Sequence, residues 1–229
     1  MSRRPFRSSI AVALLVATVA CQAQVTPSID LSSCPTAAPT ADEATAILAD
    51  AQRAVVATTK GSFTIELYPL AAPIATASFV ALARCGFYDQ ISFHRVLAGF
   101  VAQAGDPRTR TNHGPFEGLG SGGPGYQFTV EFPDPSLTYD HYTVAMANAL
   151  RYDQVTGEVQ SGTDTNGSQF FIDLADLGGQ LKPYYTIIGK VVDGTDVIDA
   201  ISAVQVNNPA DGVPVMPVII ESITITPAS

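Results

Sequence analysis

Three short segments of the chain carry the side chains most able to do chemistry: FHRVLAGFVAQAGD at residues 93–106, MANA at 146–149 and TNGSQFFI at 165–172. The first two place polar groups among apolar neighbours, with Arg95 and Gln103 in one and Asn148 in the other. A guanidinium stays charged at any working pH and offers several donors in a rigid fork, while a carboxamide both donates and accepts. The chemistry available to this set is hydrogen bonding to a polar ligand, because the set contains no nucleophile paired with a base.

Each of these residues, taken alone, has an ordinary structural explanation. An isolated arginine such as Arg95 most often forms a surface ion pair, and Gln103 and Asn148 fit a strand edge or a turn. Phe100 and Phe171 would be core residues in most β-proteins. Their joint presence in one order and spacing is what favours a functional site over scattered structural roles.

Metal and hydrolase chemistry find no support in the sequence. The three histidines, His94, His113 and His141, lack metal-ligand spacing, and the three cysteines lack the paired CxxC spacing of a zinc site. GSGGP at residues 120–124 is similar to the GDSGGP string of chymotrypsin-like proteases, but Gly120 stands where that string has aspartate. We therefore interpret this segment as a flexible loop, and His94 as a structural or pocket-lining residue rather than a general base.

The charge balance excludes two classes of partner. The 229-residue chain has 12 Lys and Arg against 21 Asp and Glu, a formal net charge of −9 and a pI near 4.6. Nucleic acid and anionic membrane surfaces would repel such a chain. With 46% hydrophobic and 14% charged residues, the composition is that of a globular protein able to bury its own core.

Residues 1–20 have the pattern of an export signal. Arg3, Arg4 and Arg7 precede the apolar stretch IAVALLVATVA at residues 10–20. This stretch is too short to span a bilayer, which takes about 20 apolar residues. We therefore predict a signal peptide rather than a transmembrane helix, and a cytoplasmic protein with an apolar tail is the alternative.

The residues after this stretch decide how the chain would be processed. TVAC at residues 18–21 resembles a bacterial lipoprotein processing site, with Thr18 where leucine is usual. We predict lipid attachment at Cys21 and a location in the bacterial cell envelope, with the lipid as the chain's contact to the membrane. Cleavage by the ordinary signal peptidase, for example after Ala23, would instead give a soluble periplasmic or secreted protein.

Residues 21–53 are predicted to form a tether and a short lead-in helix. Up to about Pro39 the segment is rich in Ser, Thr, Pro and Ala without periodicity. Thr40 and Glu43 then have capping-box spacing, and apolar residues follow at helical intervals.

The cysteine count predicts a crosslink between the tether and the rest of the chain. Once Cys21 is lipidated or removed, Cys34 and Cys85 remain as a pair in a compartment where disulfides persist. We predict that they form a disulfide, and two free thiols are the alternative.

Short β-rich runs dominate the predicted domain, residues 54–229. Val55–Tyr68 has the pattern of two strands around a turn, and further strands are predicted at residues 91–96, 100–103, 126–130, 143–146, 169–174, 186–192 and 217–226. One helix is predicted from Pro73 to a stop at Cys85 and Gly86, and a second follows Gly194. Many strands with few helices favour a closed antiparallel barrel over alternating βαβ units.

The segments at residues 93–106, 146–149 and 165–172, followed by IGKV at residues 188–191, closely resemble the cyclophilin family of peptidyl-prolyl cis–trans isomerases. The resemblance covers residues 54–226. It implies a mainly β fold, a closed eight-stranded antiparallel β-barrel capped by two α-helices. It also implies isomerase activity without a cofactor, and unfolded or folding proline-containing polypeptides as partners. An exported member would act on folding envelope proteins, and we expect a monomer.

The resemblance assigns roles in a reaction that makes and breaks no bond. Rotation about an X–Pro bond faces a barrier of ~18–20 kcal/mol from amide resonance. As the amide twists, its nitrogen regains a lone pair, so a fixed cation that donates to this nitrogen stabilises the transition state selectively. Arg95 resembles that donor. Gln103 and both the backbone and the side chain of Asn148 resemble the groups that hold the substrate carbonyl and the neighbouring peptide units.

The resemblance also implies a set of binding residues. The prolyl pocket would consist of Phe100, Val101, Phe171 and Leu181, with Tyr185 where eukaryotic members carry a histidine. Ala147 and Ala149 would leave room for an extended substrate, and the glycine-rich residues 120–123 would flank the adjoining pocket. Gln180 stands where eukaryotic members carry the tryptophan that binds cyclosporin, so we predict weak inhibition by that drug.

The main departure from the family pattern is an insertion at about residues 150–164, between the MANA and TNGSQ strings. We expect this loop to overhang the binding groove and to alter substrate choice. The competing hypothesis for the whole chain is a catalytically weak proline-peptide-binding or assembly module on the same barrel.

Overall fold

The computed structural model of the protein describes residues 29–227. The predicted signal peptide at residues 1–20 and the predicted lipidation site at Cys21 lie outside this range. Within it, no helix has both the length and the apolar character that crossing a membrane requires.

The described chain forms ten strands, three α-helices and one 3-10 helix. In chain order they are α1 (Ala41–Leu48), β1 (Arg53–Thr58), β2 (Gly61–Leu67), α2 (Pro73–Arg84), β3 (Arg95–Val96), β4 (Val101–Ala104), the 3-10 helix Pro107–Arg110, β5 (Thr143–Met146), β6 (Arg151–Tyr152), β7 (Val159–Ser161), β8 (Phe170–Asp173), β9 (Ile187–Asp193), α3 (Thr195–Ser202) and β10 (Ile220–Thr226).

Eight of the strands form one antiparallel sheet in the order β10-β1-β2-β9-β5-β8-β4-β3. The predicted eight antiparallel strands are confirmed, but the ladder is an open, curled sheet with β10 and β3 at its edges rather than a closed ring. Closure would need a regular ladder between these edges, and β3 is only two residues long. The segments beside them are joined by isolated bonds, such as Phe93 N–H to the Val218 carbonyl at 2.9 Å.

Strand alternation gives the sheet two different faces. In β2 the predicted inward residues Phe63, Ile65 and Leu67 are buried, and they join the main core. In β8 Phe170 also belongs to this core, whereas its neighbour Phe171 points to the opposite face. There Phe171 joins a second, smaller apolar cluster, and this second face carries the candidate site.

Helix α2 covers the main core, and its start is fixed by a residue far along the chain. Pro73 occupies the first turn, as predicted, where its missing N–H costs nothing. The Glu131 carboxylate accepts hydrogen bonds from the Ile74 and Ala75 N–H groups at 3.0 and 2.7 Å. Glu131 therefore caps the N-terminal end of α2 from a loop more than 50 residues further along the chain.

The lead-in helix α1 is part of the folded unit and not only a spacer. Both capping-box bonds between Thr40 and Glu43 are present, as the spacing predicts. Its buried residues Ala44 and Leu48 belong to the main core. The helix packs on α2, where Arg84 donates to the Asp50 carboxylate at 2.6 Å.

The predicted crosslink is present between Cys34 and Cys85, whose Cα atoms lie 5.2 Å apart. It joins the segment before α1 to the C-terminal end of α2. The chain is thus attached to the folded domain at residue 34, so residues 34–53, predicted as part of the tether and lead-in helix, belong to the folded unit.

Two strand predictions were wrong in extent. Residues 126–130 form no regular strand and make a single bridge, Phe128 with Asn166, because the partner segment runs alongside for only a few residues. Of the predicted strand at 91–96, only β3 and a bridge at Ser92 are regular. The insertion, expected as a loop, folds as a two-stranded hairpin of β6 and β7.

Candidate active site

The candidate site is built on the short pair of β3 and β4. In this pair Arg95 lies directly opposite Gln103, so both side chains leave the same face of the sheet. On the other side of β4, Gln103 pairs with Phe171 of β8. Three neighbouring strands therefore place a cation, an amide and an aromatic ring side by side.

Arg95 presents a guanidinium with no polar partner in the described part of the chain. Its Cζ lies 5.7 Å from the centroid of the Phe100 ring, a cation–π arrangement. None of the hydrogen bonds or ion pairs among residues 29–227 involves this guanidinium. Partial burial lowers the pKa of Arg95 from its ordinary value, and Tyr185 opposes that shift. Since the ordinary pKa of arginine lies far above neutral pH, the group stays charged at pH 7 and is available to a ligand.

Gln103 is held in one orientation by a second glutamine. Its Nε2 donates to Oε1 of Gln169 at 2.9 Å. The Gln169 Nε2 in turn donates to the carbonyls of Gly120 and Gly122, each at 2.8 Å. The amide of Gln103 is therefore oriented by the glycine-rich loop through Gln169, which leaves its own oxygen to accept a hydrogen bond.

The other anchor of the glycine-rich loop is the buried carboxylate of Asp106. It accepts from the Gly120 and Gly122 N–H groups at 2.8 and 3.2 Å and forms an ion pair with Arg108 at 2.7 Å. Burial alone would raise the pKa of Asp106, but these hydrogen bonds outweigh burial and hold the pKa below its usual value. A Cβ at position 122 would overlap the carboxylate, which explains why glycine stands there.

An apolar surface adjoins the guanidinium. It is formed by five residues of the second apolar cluster: Phe100, Val101, Phe171, Leu181 and Tyr185. The rings of Phe171 and Tyr185 meet edge to face with centroids 5.3 Å apart. Below them the Tyr139 hydroxyl donates to the Tyr185 carbonyl at 2.8 Å and lies 3.0 Å from the Tyr185 N–H. This surface is here called the apolar pocket, and the ring contact with Phe171 and the two bonds to Tyr139 position its Tyr185 wall.

A cleft of about 640 Å³ runs between Gln103 and the glycine-rich loop. Its opposite wall is the 147–149 segment, with Ala147 and Ala149 supplying small side chains. The Asn148 side chain is occupied, because Nδ2 donates to the Tyr184 carbonyl at 2.8 Å and Oδ1 accepts from Leu150 N–H at 3.1 Å. Asn148 therefore shapes the cleft with its side chain, while its second Nδ2–H and its backbone have no hydrogen-bond partner among residues 29–227 and can meet a substrate.

His94 lines a second cleft of about 560 Å³ that also contains Arg95 and Gln103. It is 3% exposed, and neither ring nitrogen has a partner among the described residues. Burial lowers the pKa of His94 to about 4, with the charges of Arg95 and Arg108 acting in the same direction against Asp106. The ring is neutral at pH 7 and a weak base, in line with the pocket-lining role predicted for it.

The comparisons with known proteins settle the family. The profile of the family described as cyclophilin type peptidyl-prolyl cis-trans isomerase/CLD matches residues 53–225. This chain is a cyclophilin. It is 37% identical over 156 residues to a peptidyl-prolyl cis-trans isomerase of Helicobacter pylori, covering 67% of this chain and 82% of that one. It is 38% identical over 191 residues to peptidyl-prolyl cis-trans isomerase A of Mycobacterium tuberculosis, covering 76% and 91%.

Solved structures agree with this assignment. A Cryptosporidium parvum cyclophilin type peptidyl-prolyl cis-trans isomerase, crystallised in the presence of the dipeptide Ala-Pro, superposes on this cyclophilin with a TM-score of 0.63 at 31% identity. The match covers 77% of this chain and 100% of that one. The cyclophilin is an isomerase of this class.

The fold of this cyclophilin brings the predicted site residues together on one face. Arg95, Gln103 and the five residues of the apolar pocket adjoin, and residues 147–149 border the same groove. Gln180, predicted at the position of the cyclosporin-binding tryptophan, is exposed.

Sequence reasoning missed three residues that support the site: Asp106, Tyr139 and Gln169. Gln169 and Asp106 stood inside the quoted motifs, so the signal was present, but nothing in the spacing showed that both bind the loop at residues 120–122. No sequence motif or periodic pattern pointed to Tyr139, because it lies in a long segment without regular secondary structure.

The insertion hairpin of this cyclophilin packs beside the site rather than lining the cleft next to Gln103. The Tyr152 ring lies 4.8 Å from that of Tyr184, and the Tyr184 hydroxyl donates to the Gly157 carbonyl. Since Tyr184 directly precedes Tyr185 of the apolar pocket, the hairpin supports one wall of the site. Its predicted effect on substrate choice stays a prediction.

Proposed function

We propose that this isomerase accelerates rotation about X–Pro bonds of exported polypeptides by donating a hydrogen bond from Arg95 to the prolyl nitrogen. The observation that carries the proposal is the charged guanidinium of Arg95, which lies beside the apolar pocket and has no polar partner within residues 29–227. A planar amide nitrogen is a poor acceptor, whereas a twisted one is a good acceptor. Donation by Arg95 therefore lowers the barrier rather than only binding the ground state.

The apolar pocket supplies the second requirement, a dry seat for the proline ring. Val101 and Phe171 are 3% and 5% exposed and form its floor, while Phe100, Leu181 and Tyr185 are only partly buried and form its rim. Holding the ring fixes one end of the amide. The carbonyl end can then rotate while Arg95 donates to the prolyl nitrogen, which stays with the held ring.

Gln103 supplies the third requirement, a polar hold on the peptide. Its Nε2 is engaged with Gln169, so its Oε1 faces the substrate as a fixed acceptor for a peptide N–H. The backbone of Asn148, which has no hydrogen-bond partner within residues 29–227, serves the same purpose across the cleft. These contacts keep the chain extended and let the binding energy of neighbouring residues act at the rotating bond.

A protease-coupled assay on a short Ala-Pro peptide tests this function. We expect an exchange rate that rises linearly with enzyme concentration above the uncatalysed rate. A binding module would instead titrate the peptide without changing the rate. A rate equal to background at every enzyme concentration would overturn the proposal.

The location of the mature protein determines which polypeptides it can act on. We propose that residues 1–20 direct export and that Cys21 receives a lipid, because a basic start, an apolar stretch and TVAC stand in the order such processing requires. Folding envelope proteins would then be the clients, since proline isomerisation can limit their folding. The mass of the mature N terminus tests this: acylated Cys21 supports it, and a chain that keeps residues 1–20 contradicts export.

A further inference from the structure

A third cleft lies beside the apolar pocket and plays no part in the mechanism above. Its volume is about 620 Å³, and it is formed by the loop at residues 132–139 and the segment at residues 178–184. Leu181 lines both the cleft and the apolar pocket, and Tyr139 lies under both. The cleft thus adjoins the seat proposed for proline, with Leu181 between them.

The lining of this cleft suits an apolar group. Phe132, Pro133, Pro135, Leu137 and Pro183 line it, and the ring of Phe132 is 49% exposed. The one charged residue of the described lining is Asp134. Its Oδ1 already accepts from the Ser136 N–H and hydroxyl at 2.8 and 2.6 Å. An apolar side chain entering the cleft would therefore gain burial without stripping water from an unpaired charge.

The walls of the cleft are formed in advance of binding. Tyr139 is tied to the Tyr185 backbone by two hydrogen bonds, and Phe132 meets Tyr184 edge to face with centroids 6.3 Å apart. Tyr184 is in turn packed against Tyr152 of the insertion hairpin. A preformed cleft loses little entropy on binding, and the hairpin contributes by fixing Tyr184.

We propose that this cleft is a second substrate subsite, which takes a large apolar side chain, above all an aromatic one, from the polypeptide whose proline lies in the apolar pocket. The proposal rests on the proposed function, since it extends the same bound chain. An extended peptide spans about 3.3–3.6 Å per residue, so side chains within a few positions of the proline reach the adjoining cleft. The shared wall at Leu181 favours the substrate over a second copy of this chain as the occupant.

Peptides of two lengths test the proposal. One is a short Ala-Pro peptide that fills only the apolar pocket, and the others are longer peptides in which Phe or Ala is placed in turn at each of three positions on either side of the proline. For the wild-type enzyme we expect kcat/KM to be about tenfold higher with Phe than with Ala at one of these positions. In the enzyme variant Phe132→Ala, the ratio of kcat/KM for the Phe peptide to kcat/KM for the Ala peptide falls to near one. In Met216→Ala, which removes another exposed apolar side chain outside the cleft, the ratio is unchanged.

The ratio within one variant is independent of how much of that variant is folded. A ratio near one for the wild type at every position would overturn the proposal, and so would an unchanged ratio in Phe132→Ala. A wild-type dimer in sedimentation that Phe132→Ala makes monomeric would assign the cleft to a second copy and also overturn it. Failure of the proposed function is separate: it appears as no catalysis of the short peptide, in which case the Phe-to-Ala ratio of peptide binding, read by anisotropy, still decides the subsite.

Discussion

Arg95 and Gln103 stand directly opposite each other in the pair of β3 and β4, yet only one of them is anchored. The Gln103 amide is bound to Gln169 at 2.9 Å, whereas the Arg95 guanidinium has no hydrogen bond or ion pair within residues 29–227. The proposed mechanism uses this difference. The anchored amide fixes the peptide, and the unpaired cation is free to meet a nitrogen that changes shape during rotation.

Gln169 is predicted to be a positioning residue. Gln169→Leu removes the partner of Gln103 and both side-chain bonds to the glycine-rich loop. We expect kcat/KM on a short Ala-Pro peptide to fall by about tenfold, and the amide protons of Gly120 and Gly122 to exchange faster with solvent. Gln52→Leu, at an exposed position before β1, is the matched control. Unchanged kinetics together with unchanged exchange would contradict this role.

Asp173 is predicted to make stability depend on pH. Its carboxyl is fully buried with no hydrogen-bond partner among the described residues, and burial, aided by the charge of Asp140, raises its pKa to about 8. Between the ordinary value near 3.8 and about 8 the folded chain holds one proton more than the unfolded chain. The free energy of unfolding is therefore highest, as far as Asp173 is concerned, below this window, where the carboxyl is protonated in both states. It falls as pH rises through the window, by at most about 1.4 kcal/mol per pH unit.

Asp173→Asn removes the ionisation and keeps the shape of the side chain. We expect the free energy of unfolding of this variant to rise relative to wild type as pH increases from 4 to 8. Denaturant titrations at several pH values measure the difference, with Asp193→Asn at an exposed position of β9 as the control. A constant difference between variant and wild type across this range would show that Asp173 does not titrate there.

The crosslink between Cys34 and Cys85 is predicted to stabilise without affecting catalysis. It closes a loop with a sequence separation of 51 residues, which is worth about 4 kcal/mol in the chain-entropy model. Cys34→Ser should lower the free energy of unfolding towards that extent and leave kcat/KM on the short peptide unchanged. Reductant should destabilise the wild type and not the variant. Two alkylatable thiols in the unreduced protein would contradict the bond.

How far the sequence predicted the structure depends on whether the signal was local. The alternation of Phe63, Ile65 and Leu67 has period two, and it gave the buried face of β2 correctly. The capping box of Thr40 and Glu43 likewise lies within four residues of chain. Residues 126–130 alternate in the same way but lack a long partner segment, so a good local pattern there produced only one bridge.

The supports of the site could not be predicted because they depend on contacts across the fold. The bond from Gln169 to Gly120 joins residues 49 positions apart, and that from Tyr139 to Tyr185 joins residues 46 apart. Nor does the sequence show that the Asn148 side chain is occupied by the Tyr184 carbonyl. Family resemblance identified residues that line the groove, and only the structure shows what holds them.

Replacing Arg95 tests the central claim most directly. Arg95→Ala should lower kcat/KM on the short Ala-Pro peptide by about 100-fold or more, the usual loss when one transition-state donor is removed. Arg95→Lys, which keeps the charge but not the rigid fork, should fall between Arg95→Ala and wild type. Lys60→Ala, in the exposed turn between β1 and β2, is the control and should match wild type. A rate for well-folded Arg95→Ala within twofold of wild type would contradict donation from Arg95 to the prolyl nitrogen.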